Sequence, residues 1–461
     1  MQPVLLWSDL FIWLLVVALG AGAWWSARQP LLAGAWARVG NSRPGMAAAV
    51  FLAAFTLIGL VDSLHYRPAL AAREGEKTAY AVEVLSALDA LLAPLRTRVE
   101  KTYSAPLATH AYGKEMIEVR EAGGRTRTVR DYPRLRFGGA ALGDETARAG
   151  ADIAERVGGA LVVGALLWFG AATFVGRCIA RRERCSRREA WRRLWSGDTA
   201  FAWNAVLAAL GGLLLAGEYH VFGTDKVGQD VLYQVLKSVR TALVIGLVTT
   251  LVTLPIAVFL GIVAGYFRGL VDDLIQYLYT TLNSIPGVLL IAAAVLMMQV
   301  LIDTHPQWFA TAAERADLRL LALCFILGLT SWTGLARLLR GEALKLRELE
   351  YVQAAQAFGV SDLRIIARHL LPNLMHIVII ALVMDFSGLV LAEAVLSYVG
   401  IGVDPNMISF GTMINNARME LGREPVVWWS LVAAFSFMFV LVLAANLLAD
   451  AVRDAFDPRM A

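Results

Sequence analysis

The sequence predicts an all-α polytopic membrane protein that carries one small α+β domain outside the membrane. Three observations point there. Of the 461 residues, 58% are hydrophobic and 17% charged, against about 45–50% and about 25% in soluble domains. Apolar runs recur along the chain, and a helical crossing takes about 20 such residues. When these runs are threaded alternately, the short arginine-rich loops all fall on one side, as the positive-inside rule requires.

Val4 to Trp25 is the first run. No Lys or Arg precedes it, which argues against a signal peptide. Arg28, Arg38 and Arg43 follow it, so the N-terminus is expected outside and this loop in the cytoplasm. Met46 to Val61 runs back out, and residues 1–61 read as two N-terminal spans. Residues 62–155 mix acids and bases and contain no spanning run. Within them, Thr78 to Leu95 has helical spacing, with Ala81, Val84, Leu85, Leu88 and Leu92 on one face. Glu115 to Arg120 and Arg125 to Val129 flank a Glu-Ala-Gly-Gly turn, which predicts a hairpin. This region is expected to be extracytoplasmic, since long loops escape the charge rule.

Residues 156–198 hold a third span, Val157 to Val175, and a basic cytoplasmic loop with eight arginines between Arg177 and Arg193. Residues 199–461 hold six more runs. These are Ala200 to Ala216, Thr241 to Phe267, Leu274 to Val300, Leu320 to Leu339, Asn373 to Leu396 and Val427 to Ala449. Pro286 is expected to kink the third of them. That makes nine spans and a cytoplasmic C-terminus.

Several chemistries are disfavoured. The formal charge of +4 resides largely in those loops and reads as an orientation signal rather than a nucleic-acid patch. Cys178, Cys185 and Cys324 offer no disulfide framework, and the first two flank a basic loop without histidine partners. No Gly-x-x-x-x-Gly-Lys-Ser/Thr loop, Gly-x-Ser-x-Gly or His-Glu-x-x-His occurs. No catalytic, cofactor or metal site is therefore expected in this chain.

The stretch Tyr351 to Pro372 is too polar to span and lies between two runs that are not. Tyr351, Ala354, Ala355 and Phe358 form one apolar stripe at helical spacing. Gly359 stops that helix, since glycine takes the left-handed cap without a Cβ penalty. Ser361 is a plausible N-cap for a second helix, with Asp362 in its first turn. Leu363, Ile366 and Leu370 make the second apolar stripe, and Pro372 marks entry to the next span. Helix, glycine hinge, helix is a unit suited to pass a push from a soluble partner into the membrane. On periodicity alone, an amphipathic pair lying on lipid headgroups fits as well.

The stretch resembles the EAA loop of ABC importer permeases: Glu-Ala-Ala, three residues, Gly, nine residues, Ile, one residue, Leu-Pro. Gln353, Ala354, Ala355, Gly359, Leu371 and Pro372 occupy those places, with Gln353 replacing the Glu and His369 the Ile. From His220 onward the chain is similar to the second permease subunit of the dipeptide/oligopeptide/nickel ABC importers. His220-Val-Phe-Gly-Thr-Asp-Lys-Val-Gly-Gln-Asp230 carries this, with Gln229 where the family has Arg. So do Gly261 to Gly269, Asn283-Ser-Ile-Pro-Gly287, Ala392 to Gly402, Phe410 to Asn415, and the closing Asn446 to Asp450 and Arg453 to Arg459. The resemblance implies a six-span, type I ABC permease core over residues 199–461, with a cytoplasmic coupling loop at 340–372 and three extra spans before it. It implies a bacterial inner-membrane location, a sister permease, two ATPases that hold ATP and Mg2+, and an extracytoplasmic solute-binding protein. The ATPases would dock on Tyr351, Gln353, Ala354, Ala355, Phe358, Gly359, Asp362, Leu371 and Pro372.

Asp385 sits near the middle of its span, where a carboxylate costs about 2.5–3.5 kcal/mol on insertion scales and should face the bundle interior or a water-filled path. One reading is a structural partner bonded to a span such as that of Asn283 and Ser284. The other is a pathway group that meets a cationic solute. Glu393, Asn283 and Ser284 are further pathway candidates. The favoured function is an ATP-driven permease for peptides or peptide-like solutes. The alternatives are a nickel permease of the same family, a membrane sensor or scaffold built on residues 62–155, and an intramembrane enzyme. The last has no paired acid/base or metal constellation to support it.

Overall fold

The computed structural model describes residues 2–26, 30–70, 80–120, 126–143, 148–183, 211–212, 215–309 and 311–456. The first half is mixed. Strand β1 (Gln2–Val4) leads into α1 (Trp7–Ser26), α2 (Pro30–Asn41) and α3 (Arg43–Asp62). Then come β2 (His65–Arg67), β3 (Leu85–Ser86), α4 (Ala87–Leu91), α5 (Ala93–Thr97), β4 (Glu115–Arg120), β5 (Thr126–Asp131) and the long α6 (Ala149–Glu183). Strands β1, β2 and β3 form one antiparallel sheet, while β4 and β5 pair as a hairpin from Glu115↔Asp131 to Arg120↔Thr126.

The second half is helical. It comprises α7 (Val231–Phe267), α8 (Leu270–Ser284), α9 (Gly287–Thr304), α10 (Ala312–Arg347), α11 (Glu350–Ala357), α12 (Asp362–Val399), α13 (Phe410–Glu420) and α14 (Trp429–Phe456). Among the described residues, six helices are long and apolar enough to cross a membrane: α3, α7, α9, α10, α12 and α14. Helix α1 holds a shorter apolar stretch.

Small residues let the central pair approach closely. A β-carbon on Gly261 would fall 2.7 Å from the Ala336 carbonyl, one on Gly265 2.6 Å from Ala343, and one on Gly328 2.7 Å from Val252. Helices α7 and α10 therefore pack lengthwise, backbone near backbone, as small residues allow between membrane helices. Helix α3 joins them. Gly45 lies under Ala451 of α14, Gly59 under Leu243 of α7, and Phe55 enters the core formed by α7, α12 and α14. Read from sequence as separate from the 199–461 core, α3 is packed into it.

The structure corrects several expected elements. Of the helix expected from Thr78 to Leu95, the described residues from 80 on instead hold a strand followed by two short helices. Ser86 and Asp89 form a capping box that starts α4 at Ala87, and Pro94 sits in the first turn of α5. Leu88 and Leu92 are buried nonetheless. The loop after α1 holds α2, whose Ala35 and Val39 pack on Val452, Ala455 and Phe456 at the end of α14. The run from Leu274 to Val300 is two helices rather than one kinked span. Pro286 removes a donor and forces Ile285 into extended backbone (φ −92°, ψ 131°). Most of the expected span at 200–216, the turn at 121–124 and most of the arginine loop at 177–193 lie outside the described residues.

Candidate functional site

The site expected to face the ATPases is built on the end of α10. After Arg347, Leu349 turns the chain into the two-turn helix α11. Its C-terminus is a Schellman motif: Val360 N–H donates to the Ala355 carbonyl (3.1 Å) and Gly359 N–H to Gln356 (2.9 Å). Gly359 has φ +73°, which favours glycine. The chain then re-enters a helix at Asp362, passes through a π-turn at Ile366–Leu370 and continues into α12. Pro372 sits in the next turn, where a missing N–H is accommodated by widening the ladder.

Which face points inward differs from the sequence reading. Val352, Ile365 and Leu370 are fully buried against Leu339, Ala343 and Leu374, with Ala355 beside them. Phe358 is 87% exposed, Leu363 79% and Tyr351 43%. Of the expected first stripe only Ala355 packs inward. In the second, Ile365 takes the place expected for Leu363. Ser361 stands at the N-cap but makes no side-chain cap.

Four side chains that sequence reading missed, Tyr266, Gln356, Arg347 and Asn373, fasten the hairpin. Tyr266 OH donates to Asp362 Oδ1 at 2.7 Å and accepts from Gln356 Nε2 at 3.2 Å. Arg347 donates to the Tyr266 carbonyl at 2.7 Å. Gln353 donates to the Glu348 carbonyl (3.2 Å), and Asn373 donates to Tyr351 OH (3.1 Å). Nearby, Arg340 grips Asp272 through two bonds of 2.5 and 2.7 Å.

The other end of α7 carries the His220–Asp230 motif. Asp230 caps α7 through the N–H groups of Leu232 and Tyr233, while its second oxygen meets His220 Nδ1 at 2.8 Å. On the far side of the ring stands Glu100. Glu100 also accepts from the N–H groups of Arg136, Phe137 and Gly138. Burial opposes the charged imidazolium, yet the bonds and charges of Asp230 and Glu100 outweigh it and push His220 up to about 9. Burial likewise opposes the Glu100 carboxylate, but bonds from His220 and the three backbone donors bring it down to about 2. Gly228 and Gly223 have positive φ, and a β-carbon on them would fall 1.9 Å from the Glu100 carbonyl and 2.3 Å from that of Ser104. The segments at Glu100, Ser104 and Arg136 to Gly138 are therefore moulded onto this motif.

A buried ionic network lies just below. Arg240 reaches Ser8 and Asp9, each at 2.6 Å, and Ser8 N–H donates to Asp317 at 3.0 Å. Lys237 reaches Asp62 at 2.7 Å and Asp89 at 3.0 Å, and His65 meets Asp9 at 2.7 Å. This ties α1, α3 and α4 to α7 and α10.

The expected pathway residues are not brought together by mutual bonds. Asn283 accepts from Thr333 of α10 (3.1 Å), and Ser284 donates to the Thr281 carbonyl within α8 (2.6 Å). Glu393 is buried and accepts from Ser397 and Ser409, holding the start of α13 to α12. Asp385 is half-buried and has no hydrogen-bond partner among the described residues.

A bundle of apolar helices, six of them long and apolar enough to cross a membrane among the described residues, with a short helix–glycine–helix hairpin at one end, is the architecture of a polytopic membrane protein. Residues 257–461 match the family described as "Binding-protein-dependent transport system inner membrane component". The chain is 31% identical over 242 residues to the oligopeptide transport system permease protein OppC of Mycobacterium tuberculosis, covering 52% of this chain and 77% of the relative. It is 28% identical over 294 residues to the dipeptide transport system permease protein DppC of Bacillus subtilis, covering 59% and 86%. It is 32% identical over 243 residues to the glutathione transport system permease protein GsiD of Pectobacterium atrosepticum, covering 52% and 73%. The chain belongs to the dipeptide/oligopeptide permease family: it is the multi-pass inner-membrane subunit of an ABC importer, and not an enzyme.

Proposed function

We propose that the chain forms half of the translocation path for peptides or peptide-like solutes, and that α11 docks in a groove on an ATPase. One observation carries the docking: a rigidly fastened hairpin turns Tyr351, Phe358 and Leu363 outward. Large apolar side chains on a polar surface that nothing among the described residues covers mark an interaction site. The partners are a sister permease, two ATPases holding ATP and Mg2+, and a solute-binding protein. Gln353, in place of Glu, leaves that contact one charge weaker. Relatives named for dipeptide, oligopeptide and glutathione transport favour a peptide-like solute over nickel.

The hairpin end is cytoplasmic in this reading. Arg38, Arg43, Arg340, Lys345, Arg347, Arg364, Arg368 and Arg453 gather there. The N-terminus and the domain of residues 62–155 are then outside, the C-terminus is inside, and α1 and α6 are extra spans. Cysteines in place of Met116 and Phe358, each exposed, test the sidedness in a background lacking the native three. The first should react with an impermeant thiol reagent in intact spheroplasts, the second only after lysis; the reverse pattern defeats this orientation. Phe358→Asp tests docking. It should insert normally yet fail to retain the ATPases on purification, and full retention with normal uptake would remove the docking role.

A further inference from the structure

We propose that Tyr266 is the pin through which movement of the coupling hairpin reaches the membrane helices. It is a positioning residue for transport, and this assignment rests on the docking reading of α11. Tyr266 is the next-to-last residue of α7 and is almost wholly buried. Its hydroxyl bonds Gln356 before the Gly359 turn and Asp362 after it. One oxygen thus spans the two limbs of the hairpin. The same residue takes Arg347, the last residue of α10, on its carbonyl, and the Arg347 guanidinium lies 5.7 Å from the ring centre. Four elements, α7, α10, α11 and α12, meet at this side chain.

The apolar ring and the polar hydroxyl do separate jobs. The ring fills the cluster around Val352, Ile365 and Leu370, and phenylalanine would fill it equally well. The hydroxyl serves Asp362 and Gln356, both exposed enough for water to replace it. Removing it therefore costs little folding stability. What is lost is a fixed distance between the hairpin and α7. Helix α7 runs 37 residues, about 55 Å at 1.5 Å per residue, from Tyr266 to the Asp230–His220 clamp at the other end. A hairpin pinned to that rod moves it; an unpinned hairpin slides.

The test uses the complete importer, with both permeases, both ATPases and the receptor, in proteoliposomes. The readouts are basal ATPase, receptor-stimulated ATPase, and uptake of a tritiated tripeptide per ATP hydrolysed. Tyr266→Phe should leave basal hydrolysis and assembly unchanged and lower receptor stimulation and the uptake ratio about tenfold, the scale of a typical coupling free energy between two sites. Asp362→Asn keeps an acceptor and should lower them less. The double variant should be no worse than Tyr266→Phe alone, because both act through one bond. An unchanged uptake ratio in Tyr266→Phe overturns the pin, as does equal loss of basal hydrolysis and assembled complex. If Tyr266→Phe is silent while Phe358→Asp still loses the ATPases, the pin alone falls. If Phe358→Asp retains ATPases and uptake, the docking reading falls and the pin with it.

Discussion

His220 Nε2 lies 3.5 Å from Glu100 Oε1, which joins the segment after α5 to the motif that begins α7. The pair sets a pH window. His220 is raised from its ordinary 6.5 to about 9, so its contribution is complete below about 6.5 and is lost as pH rises through about 9. Glu100 is lowered from 4.5 to about 2, so its contribution is present above about 4.5 and is lost as pH falls toward 2. Glu100→Gln should lower the melting temperature at pH 7 and move its alkaline decline to lower pH. Melting curves of the purified subunit from pH 6 to 10 check this. A variant whose curve parallels the parent would show that the ion pair does not hold this segment to α7.

Gly359 is tested by strain alone, because a β-carbon there would meet no atom within 4 Å. A β-branched residue at φ +73° is strained by roughly 1–2 kcal/mol, enough to redirect the turn. Gly359→Val should insert at normal levels and lose uptake, and Gly359→Asn, which tolerates this conformation, should retain most of it. Equal uptake by both variants would remove the hinge.

Arg240 lies among Asp9, Ser8 and Asp317, all buried. Arg240→Met should destabilise the subunit by about 3–5 kcal/mol, because it strands buried carboxylates. Thermal denaturation and the yield of assembled protein measure this. A loss no larger than that of an exposed control such as Arg364→Met would mean that the network does not join α1 to the bundle.

Substitution of Asp385 separates its structural and pathway readings. Asparagine keeps shape and hydrogen bonding without charge. If Asp385 faces the path, Asp385→Asn should assemble normally and import peptides with a free amino terminus poorly, while acetylated peptides are unaffected. Equal uptake of both kinds by Asp385→Asn would leave only a structural role. Asp385→Leu, if it loses assembled protein, points the same way.

The sequence by itself determined the apolar helices, the glycine stop at Gly359, the β4–β5 hairpin and the transport family. Each is a local property: composition, period or a short ordered motif. It did not determine which apolar face of the helix–glycine–helix hairpin turns inward. Tyr351, Val352 and Phe358 are all apolar, and only the end of α10 selects Val352 for burial. Nor did periodicity expose the break at Ser86, where a capping box outweighed the helical spacing from residue 78 onward. The partners of His220, Arg240, Lys237 and Tyr266 come from elements far apart in the chain. Their charges and hydroxyls are visible in the sequence, but pairing is a matter of distance. Close glycine-mediated packing of α3, α7, α10 and α14 set those distances.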